Sequence, residues 1–220
     1  MSAPVKHDQV TFVSEGVDLD GWHFTGAGAA FDGPAGRPVV VMAHGLGGTK
    51  DSGLEPFAAG LAEAGLDVLA FDYRGFGSSG GTPRQRVSMA GQLEDYRAAM
   101  AAAARLPGVD GSRLVLWGVS VSGGHVLAAA AGRDDVAAVV SLTPLVDGRA
   151  AAVLALKHHP ARAILRSTAA GLRSRVASLR GSEPVMMPIV ARPGEMGALA
   201  LPGHYESYLC LLYTSDAADE

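Results

Sequence analysis

The 220-residue sequence has one cysteine, little net charge and no long apolar run, and each of these features excludes a class of protein. It contains one cysteine, Cys210, so no disulfide can form within it and no metal site can be built from cysteines. Its net charge of -4 offers no basic surface for nucleic acid. No apolar run approaches the roughly 18 residues that cross a membrane, and residues 1–10 lack the apolar core of a secretory signal. We therefore predict a cytoplasmic protein with neither nucleic acid nor membrane as a partner.

The composition is that of a folded globular protein, with 48% hydrophobic and 18% charged residues. Short apolar runs recur along the chain, and runs of this kind are typical of strands buried on both faces of a parallel sheet. They cover residues 38–43, 67–71, 113–117 and 136–141, follow two shorter strands at 10–13 and 17–24, and alternate with helical stretches at 53–64, 87–106 and 123–131. This alternation predicts an α/β fold with a doubly wound, mostly parallel sheet.

The pattern changes after Thr143. Residues 147–179 are helical and basic, and residues 183–203 are rich in proline, methionine and glycine, so neither segment continues the alternation of strand and helix. A basic helical run is most often a solvated helix face. We predict a core domain over residues 1–144 followed by a partial helical cap over residues 145–209.

The last eleven residues, 210–220, resemble the translation of a transposon-end sequencing adapter. Segments of such origin play no part in a fold. We therefore expect the genuine chain to end near Leu209, and we expect the last strands of the sheet to be missing.

The strongest chemical signal is WGVSVSGG at residues 117–124, between a buried strand and a helix of small residues. This is the context of a nucleophile elbow, a sharp turn that lifts a serine hydroxyl out of a sheet. Ser122 replaces the second glycine of G-x-S-x-G and is itself a candidate nucleophile. Ser120 is favoured because it lies three residues past Trp117, where the elbow should peak. The N–H of Val121 is then predicted to stabilise an oxyanion.

A second glycine-rich segment, HGLGG at residues 44–48, follows the first long buried strand. Glycines allow the backbone of such a loop to approach a substrate oxygen closely. The N–H of Leu46 is predicted as the other oxyanion donor.

Three segments together resemble the α/β-hydrolase superfamily, and within it the serine aminopeptidase-like and acetyl-xylan-esterase-like branch. They are HGLGGTKDSG at 44–53, FDYRGFGSSGG at 71–81 and LWGVSVSGGHVL at 116–127. The resemblance covers roughly residues 10–208. It implies hydrolysis of small-molecule carboxylic esters or amides through an acyl-enzyme on the serine, with no cofactor.

In this family the triad follows the order nucleophile, acid, histidine, so His44 is predicted to hold its loop rather than to act as base. The later histidines are His125, His158, His159 and His204, and the acids before the cap are Asp134, Asp135 and Asp147. Asp147 is the best of these acids, but none of the histidines follows a further pair of strands. We expect the triad acid and histidine beyond Leu209, and we expect the chain as given to be inactive or unfolded.

Two other functions stay open from the sequence. GFGSSG at residues 75–80 matches the G-x-G-x-x-G of nucleotide-binding α/β proteins, although Thr82 and Pro83 follow where a helix should begin. A non-catalytic binding protein of the same fold would keep Ser120 only as a structural residue.

Overall fold

The computed structural model describes residues 6–158, 160–183 and 185–216. Two compact units divide the chain, the first ending at Val146 and the second beginning at Asp147. The first unit contains β1 (Asp8–Ser14), β2 (Val17–Phe24), β3 (Arg37–Ala43), α1 (Glu55–Glu63), β4 (Asp67–Phe71), α2 (Met89–Ala103), β5 (Val109–Val119), α3 (Val121–Ala130) and β6 (Val136–Leu142). The second contains α4 (Gly148–His158), α5 (Ala161–Leu179) and α6 (His204–Asp216).

The six strands form one sheet in the order β1-β2-β4-β3-β5-β6. β1 and β2 pair antiparallel, as do β2 and β4, whereas β4, β3, β5 and β6 run parallel. The predicted mostly parallel α/β sheet is confirmed.

Helices cover both faces of the sheet, and β3 shows how the side chains divide between them. Val39 and Val41 pack into a core shared with α2 and α3. Val40 and Met42 point to the other face and pack into a core shared with α1. All four side chains are fully buried, because alternate residues of a strand face opposite sides. The continuous apolar run of β3 therefore reflects burial on both faces.

β6 is a strand, as predicted, but the prediction that it is buried is wrong. Among the strands that the structure describes, it lies at the edge of the sheet and pairs with β5 alone. Val139 and Val140 are 36% and 38% exposed, although their sequence pattern matches that of β3. An edge strand has one neighbour instead of two, and the apolar pattern alone does not report that difference.

The helical stretch predicted over residues 147–179 consists of two helices, α4 and α5. Pro160 precedes α5 and lacks the N–H that a continuous helix would need there. Asp147 caps α4, since its Oδ1 accepts from the N–H groups of Arg149 at 2.8 Å and Ala150 at 3.1 Å. Within the described ranges, no helix is long and apolar enough to cross a membrane. The cap role of residues 145–209 stays a prediction, as does the foreign origin of residues 210–220.

Candidate active site

The carboxyl ends of the parallel strands bring the two predicted motifs together. The register pairs Ala43, the last residue of β3, with Phe71 of β4 and Gly118 of β5. The loop that begins at His44 therefore lies beside Ser120, which follows β5. Ligands of parallel α/β sheets bind in the crevice at these strand ends, so this is the position expected of a functional site.

Ser120 forms the sharp turn between β5 and α3. Its backbone has φ 59° and ψ -113°, a region that a residue with a side chain rarely adopts. Three hydrogen bonds hold this backbone. The N–H of Ser120 donates to the Leu142 carbonyl at 2.9 Å, and the Ser120 carbonyl accepts from the N–H groups of Leu145 at 2.9 Å and Gly124 at 3.3 Å. The side chain is half-buried at the top of the sheet. A strained serine held in this way matches the predicted nucleophile elbow.

Small residues around the elbow are required by close backbone contacts. A Cβ at Gly118 would lie 2.3 Å from the Ser122 carbonyl oxygen, and one at Gly124 would lie 2.2 Å from that of Leu145. On the facing loop, a Cβ at Gly45 would lie 3.3 Å from the Cβ of Ser120. The glycines of the two motifs therefore allow strand, helix and loop to approach the serine.

Ser122, the competing nucleophile, is fully buried. Its hydroxyl donates to the carbonyl of His44 and lies 2.7 Å from the hydroxyl of Tyr73. A hydroxyl enclosed in this way is not available to a substrate. Of the two serines, Ser120 is therefore the accessible one, and its role as nucleophile stays a prediction.

The two predicted oxyanion donors lie on the segments that flank Ser120. Gly45 to Gly48 form a turn closed by the Gly48 N–H and the Gly45 carbonyl at 3.3 Å, and Gly47 adopts φ 66°. The N–H of Leu46, at the second position of this turn, is not part of that closing bond. Val121 is the first residue of α3, so the helix gives its N–H no acceptor. Both N–H groups can therefore donate a hydrogen bond, as the predicted oxyanion role requires.

His44 is almost completely buried beneath the loop, with 2% of its surface exposed. Its Nδ1 lies 2.9 Å from the Gly45 carbonyl, and its Nε2 lies 3.4 Å from the N–H of Tyr73. A proton on Nδ1 satisfies both contacts. Burial lowers the pKa of His44, against the opposing effects of the Gly45 carbonyl and the Asp72 charge. A neutral, enclosed imidazole fits the predicted role of holding the loop.

A buried ion cluster below the loop was not predicted from the sequence. The ammonium of Lys50 lies 2.6 Å from a carboxylate oxygen of Asp72 and 2.6 Å from one of Asp20. The N–H of Lys50 also donates to Asp72 at 2.7 Å. Burial favours a lower pKa for Lys50, but the two carboxylates outweigh it and raise the pKa, so the ammonium stays charged. The sequence gives one signal for this cluster. Lys50 follows β3 and Asp72 follows β4, which are neighbouring parallel strands.

Three further candidate triad residues have structural partners. His125 is buried on α3 with Nδ1 3.3 Å from the Tyr73 hydroxyl, and burial lowers its pKa. Asp135 pairs with Arg133 at 2.5 Å, and Nδ1 of His204 accepts from the N–H of Leu201 at 3.3 Å. His159 lies outside the described residues. Within the described part of the first unit, no histidine or carboxylate side chain hydrogen-bonds to the Ser120 hydroxyl.

The G-x-G-x-x-G segment folds in a way that does not suit a nucleotide. A Cβ at Gly77 would lie 2.1 Å from a carboxylate oxygen of Asp72, so this glycine packs on a buried anion rather than on a phosphate. The following helix, α2, begins only at Met89. Nucleotide-binding loops open directly into a helix. Among the residues that the structure describes, no group of three His, Cys, Asp or Glu side chains could hold a metal ion.

Comparison with known proteins agrees with this geometry. The chain is 41% identical over 175 residues to the quorum-quenching protein AidA of Acinetobacter baumannii, covering 80% of this chain and 56% of that protein. It is 33% identical over 180 residues to the thiohydrolase aneE of Aspergillus aculeatus, covering 80% of this chain and 55% of that protein. The chain thus spans little more than half the length of these relatives.

Among solved structures, the α/β hydrolase GrgF of Penicillium superposes with a TM-score of 0.72 at 27% identity. The match covers 95% of this chain and 67% of GrgF. Residues 38–170 match the family model of the alpha/beta hydrolase fold. That match includes the elbow, the glycine-rich loop and the parallel strands that place them together, so the chain belongs to the alpha/beta hydrolase fold family.

Proposed function

We propose that Ser120 is the nucleophile of a serine hydrolase that acts on small-molecule carboxylic esters or amides. The observation that carries this proposal is the strained backbone of Ser120 between β5 and α3, with φ 59° and ψ -113°. Strain of this kind persists where the surroundings enforce it, and it clusters at functional sites. The thiohydrolase among the relatives supports acyl transfer as the reaction class.

The proposed mechanism gives each of these groups a step. The Ser120 oxygen attacks the acyl carbon, and negative charge develops on the former carbonyl oxygen. The N–H groups of Leu46 and Val121 stabilise that charge, which lowers the barrier to the tetrahedral intermediate. The proton leaves the Ser120 hydroxyl as it attacks and is returned to the leaving group. Collapse of the intermediate then expels the alcohol or amine and leaves an acyl-serine, which water hydrolyses to the carboxylic acid.

Attack by Ser120 requires a base, and a histidine oriented by an acid supplies it in triads of this order. We place both residues in the part of the relatives that this chain does not span, and we assign residues 145–209 to a cap. A serine hydroxyl without a base is a weak nucleophile. The 220-residue chain is therefore expected to be inactive by itself.

The experiment compares hydrolysis of p-nitrophenyl butyrate by two proteins. One is the 220-residue chain, and the other is a chimera of residues 1–209 with the remaining C-terminal segment of the AidA relative. The chimera should hydrolyse the ester, and Ser120→Ala should lower its kcat by about 10⁴-fold or more. The 220-residue chain should be no faster than its own Ser120→Ala variant.

Ser122→Ala in the chimera is the matched control, because it removes the neighbouring hydroxyl and leaves Ser120 in place. It should retain far more activity than Ser120→Ala. Covalent labelling with a fluorophosphonate locates the nucleophile directly, because peptide mass spectrometry identifies the modified residue. A folded chimera that is inactive, or one labelled at Ser122, would contradict the proposal.

A further inference from the structure

The hydroxyl of Ser122 has no role in the proposed mechanism, yet it is fully buried. Ser122 stands where G-x-S-x-G has its second glycine. Burying a hydroxyl costs free energy unless it is hydrogen-bonded, so its partners require an explanation. Those partners are the carbonyl of His44 and the hydroxyl of Tyr73.

The direction of each hydrogen bond follows from the chemistry of the groups. A carbonyl oxygen can only accept, so Ser122 donates its one proton to His44. The Ser122 oxygen then accepts from the hydroxyl of Tyr73 at 2.7 Å, and the Tyr73 oxygen accepts from Nδ1–H of His125 at 3.3 Å. One connected series of hydrogen bonds thus runs from α3 past the end of β4 to the loop after β3.

We infer that Ser122 is a positioning residue that fixes the start of the loop over residues 44–50 through its hydrogen bond to the His44 carbonyl. That loop carries Leu46, whose part as oxyanion donor rests on the proposed function. The other end of the loop is held separately, where Lys50 donates to Asp72. Loss of the Ser122 hydroxyl should therefore loosen the His44 end of the loop, which keeps the contact between the His44 ring and the Tyr73 N–H, and leave the Lys50 end in place.

The test is hydrogen exchange in the 220-residue chain, because it needs no catalysis. The N–H groups of Gly48 and Lys50 are hydrogen-bonded, so their exchange rates report opening of the loop. Ser122→Ala should accelerate exchange of the Gly48 amide about five- to tenfold, the effect expected from one lost buried hydrogen bond. The Lys50 amide lies at the end held by Asp72, so its exchange should rise less than about twofold. Peptides from α2 serve as an internal reference for opening of the whole unit.

Tyr73→Phe is the matched control. Like Ser122→Ala, it removes the Tyr73–Ser122 hydrogen bond and a buried hydroxyl. Unlike Ser122→Ala, it leaves Ser122 donating to the His44 carbonyl. Exchange of the loop amides should rise less than about twofold in this variant. Should Ser122→Ala not fold, Ser122→Cys keeps a weak donor of similar shape, and its loop exchange should lie between the wild-type and fivefold values.

Two results would overturn the inference. One is unchanged loop exchange when Ser122 loses its hydroxyl. The other is that Ser122→Ala and Tyr73→Phe accelerate loop exchange equally and accelerate exchange in the α2 peptides by the same factor. That result would mean that the Ser122 hydroxyl contributes only to general stability. An inactive chimera would refute the proposed function and leave this measurement unaffected.

Discussion

The centre and the edge of the sheet use the same kind of sequence in opposite surroundings. β3 and β6 are both short runs of valine and other apolar residues. In β3 every valine is fully buried between two helical layers, whereas Val139 and Val140 of β6 are more than a third exposed. An apolar sequence therefore predicts a strand in both cases, but the number of neighbouring strands decides how much that strand stabilises the fold.

Charged groups show the same contrast. At the centre, Lys50 is buried between Asp72 and Asp20. Beside β6, Arg133 and Asp135 pair at the surface with 40% and 35% of their side chains exposed. Water screens the surface pair and leaves the buried cluster unscreened.

The largest effect should follow from Lys50→Met. Removing the ammonium leaves two buried carboxylates without a counter-charge, and breaking a buried pair in this way costs about 3–5 kcal/mol. Urea unfolding followed by circular dichroism measures the loss. Arg133→Met is the matched change at the edge and should cost about 1 kcal/mol or less, because exposed pairs contribute little.

A double variant sharpens this result. Lys50→Met combined with Asp72→Asn removes one of the stranded charges, so it should recover part of the stability lost by Lys50→Met alone. Equal losses for Lys50→Met and Arg133→Met would contradict the contrast between a buried cluster at the centre and a screened pair at the edge.

A smaller effect is expected when the same two methyl groups are removed from a valine of β3 and from a valine of β6. Val40→Ala in β3 deletes two fully packed methyl groups and should cost about 2–3 kcal/mol, including the cavity that remains. Val140→Ala in β6 deletes the same groups from a partly exposed side chain and should cost about 1 kcal/mol or less. The two free energies of unfolding are compared in one buffer. A Val140→Ala loss as large as that of Val40→Ala would show that β6 is buried in solution, by association or otherwise.

Much of the fold was predictable because local patterns determined it. The apolar runs located β3, β4 and the end of β5, and small residues located the elbow at Ser120. The polar start of β5 at Val109–Ser112 was missed, since only pairing with β3 makes these residues part of a strand. Exposure of β6 was missed for the same reason: it depends on a neighbour that sequence periodicity does not report.

The candidate site likewise contains one part that the sequence predicted and other parts that it did not. Ser120 follows from a local motif, and its strain is confined to the turn itself. The Lys50–Asp72 pair and the Ser122–His44 hydrogen bond join segments that are 22 and 78 residues apart in the chain. The residue types alone gave no signal for either pairing. Only the register of β3 against β4 and β5 brings these groups together.

The smallest expected change in stability concerns the exposed edge itself. An apolar edge strand with unpaired backbone groups can pair with another chain, and an inward or edge lysine prevents this in natural sheets. Val140→Lys should change the free energy of unfolding by no more than about 0.5 kcal/mol, but it should reduce aggregation of the 220-residue chain, measured by light scattering against concentration. Leu127→Lys on α3 adds the same charge at a side chain of similar exposure away from the strand. Equal protection by both variants would trace the benefit to net charge, whereas protection by Val140→Lys alone would locate the association at β6.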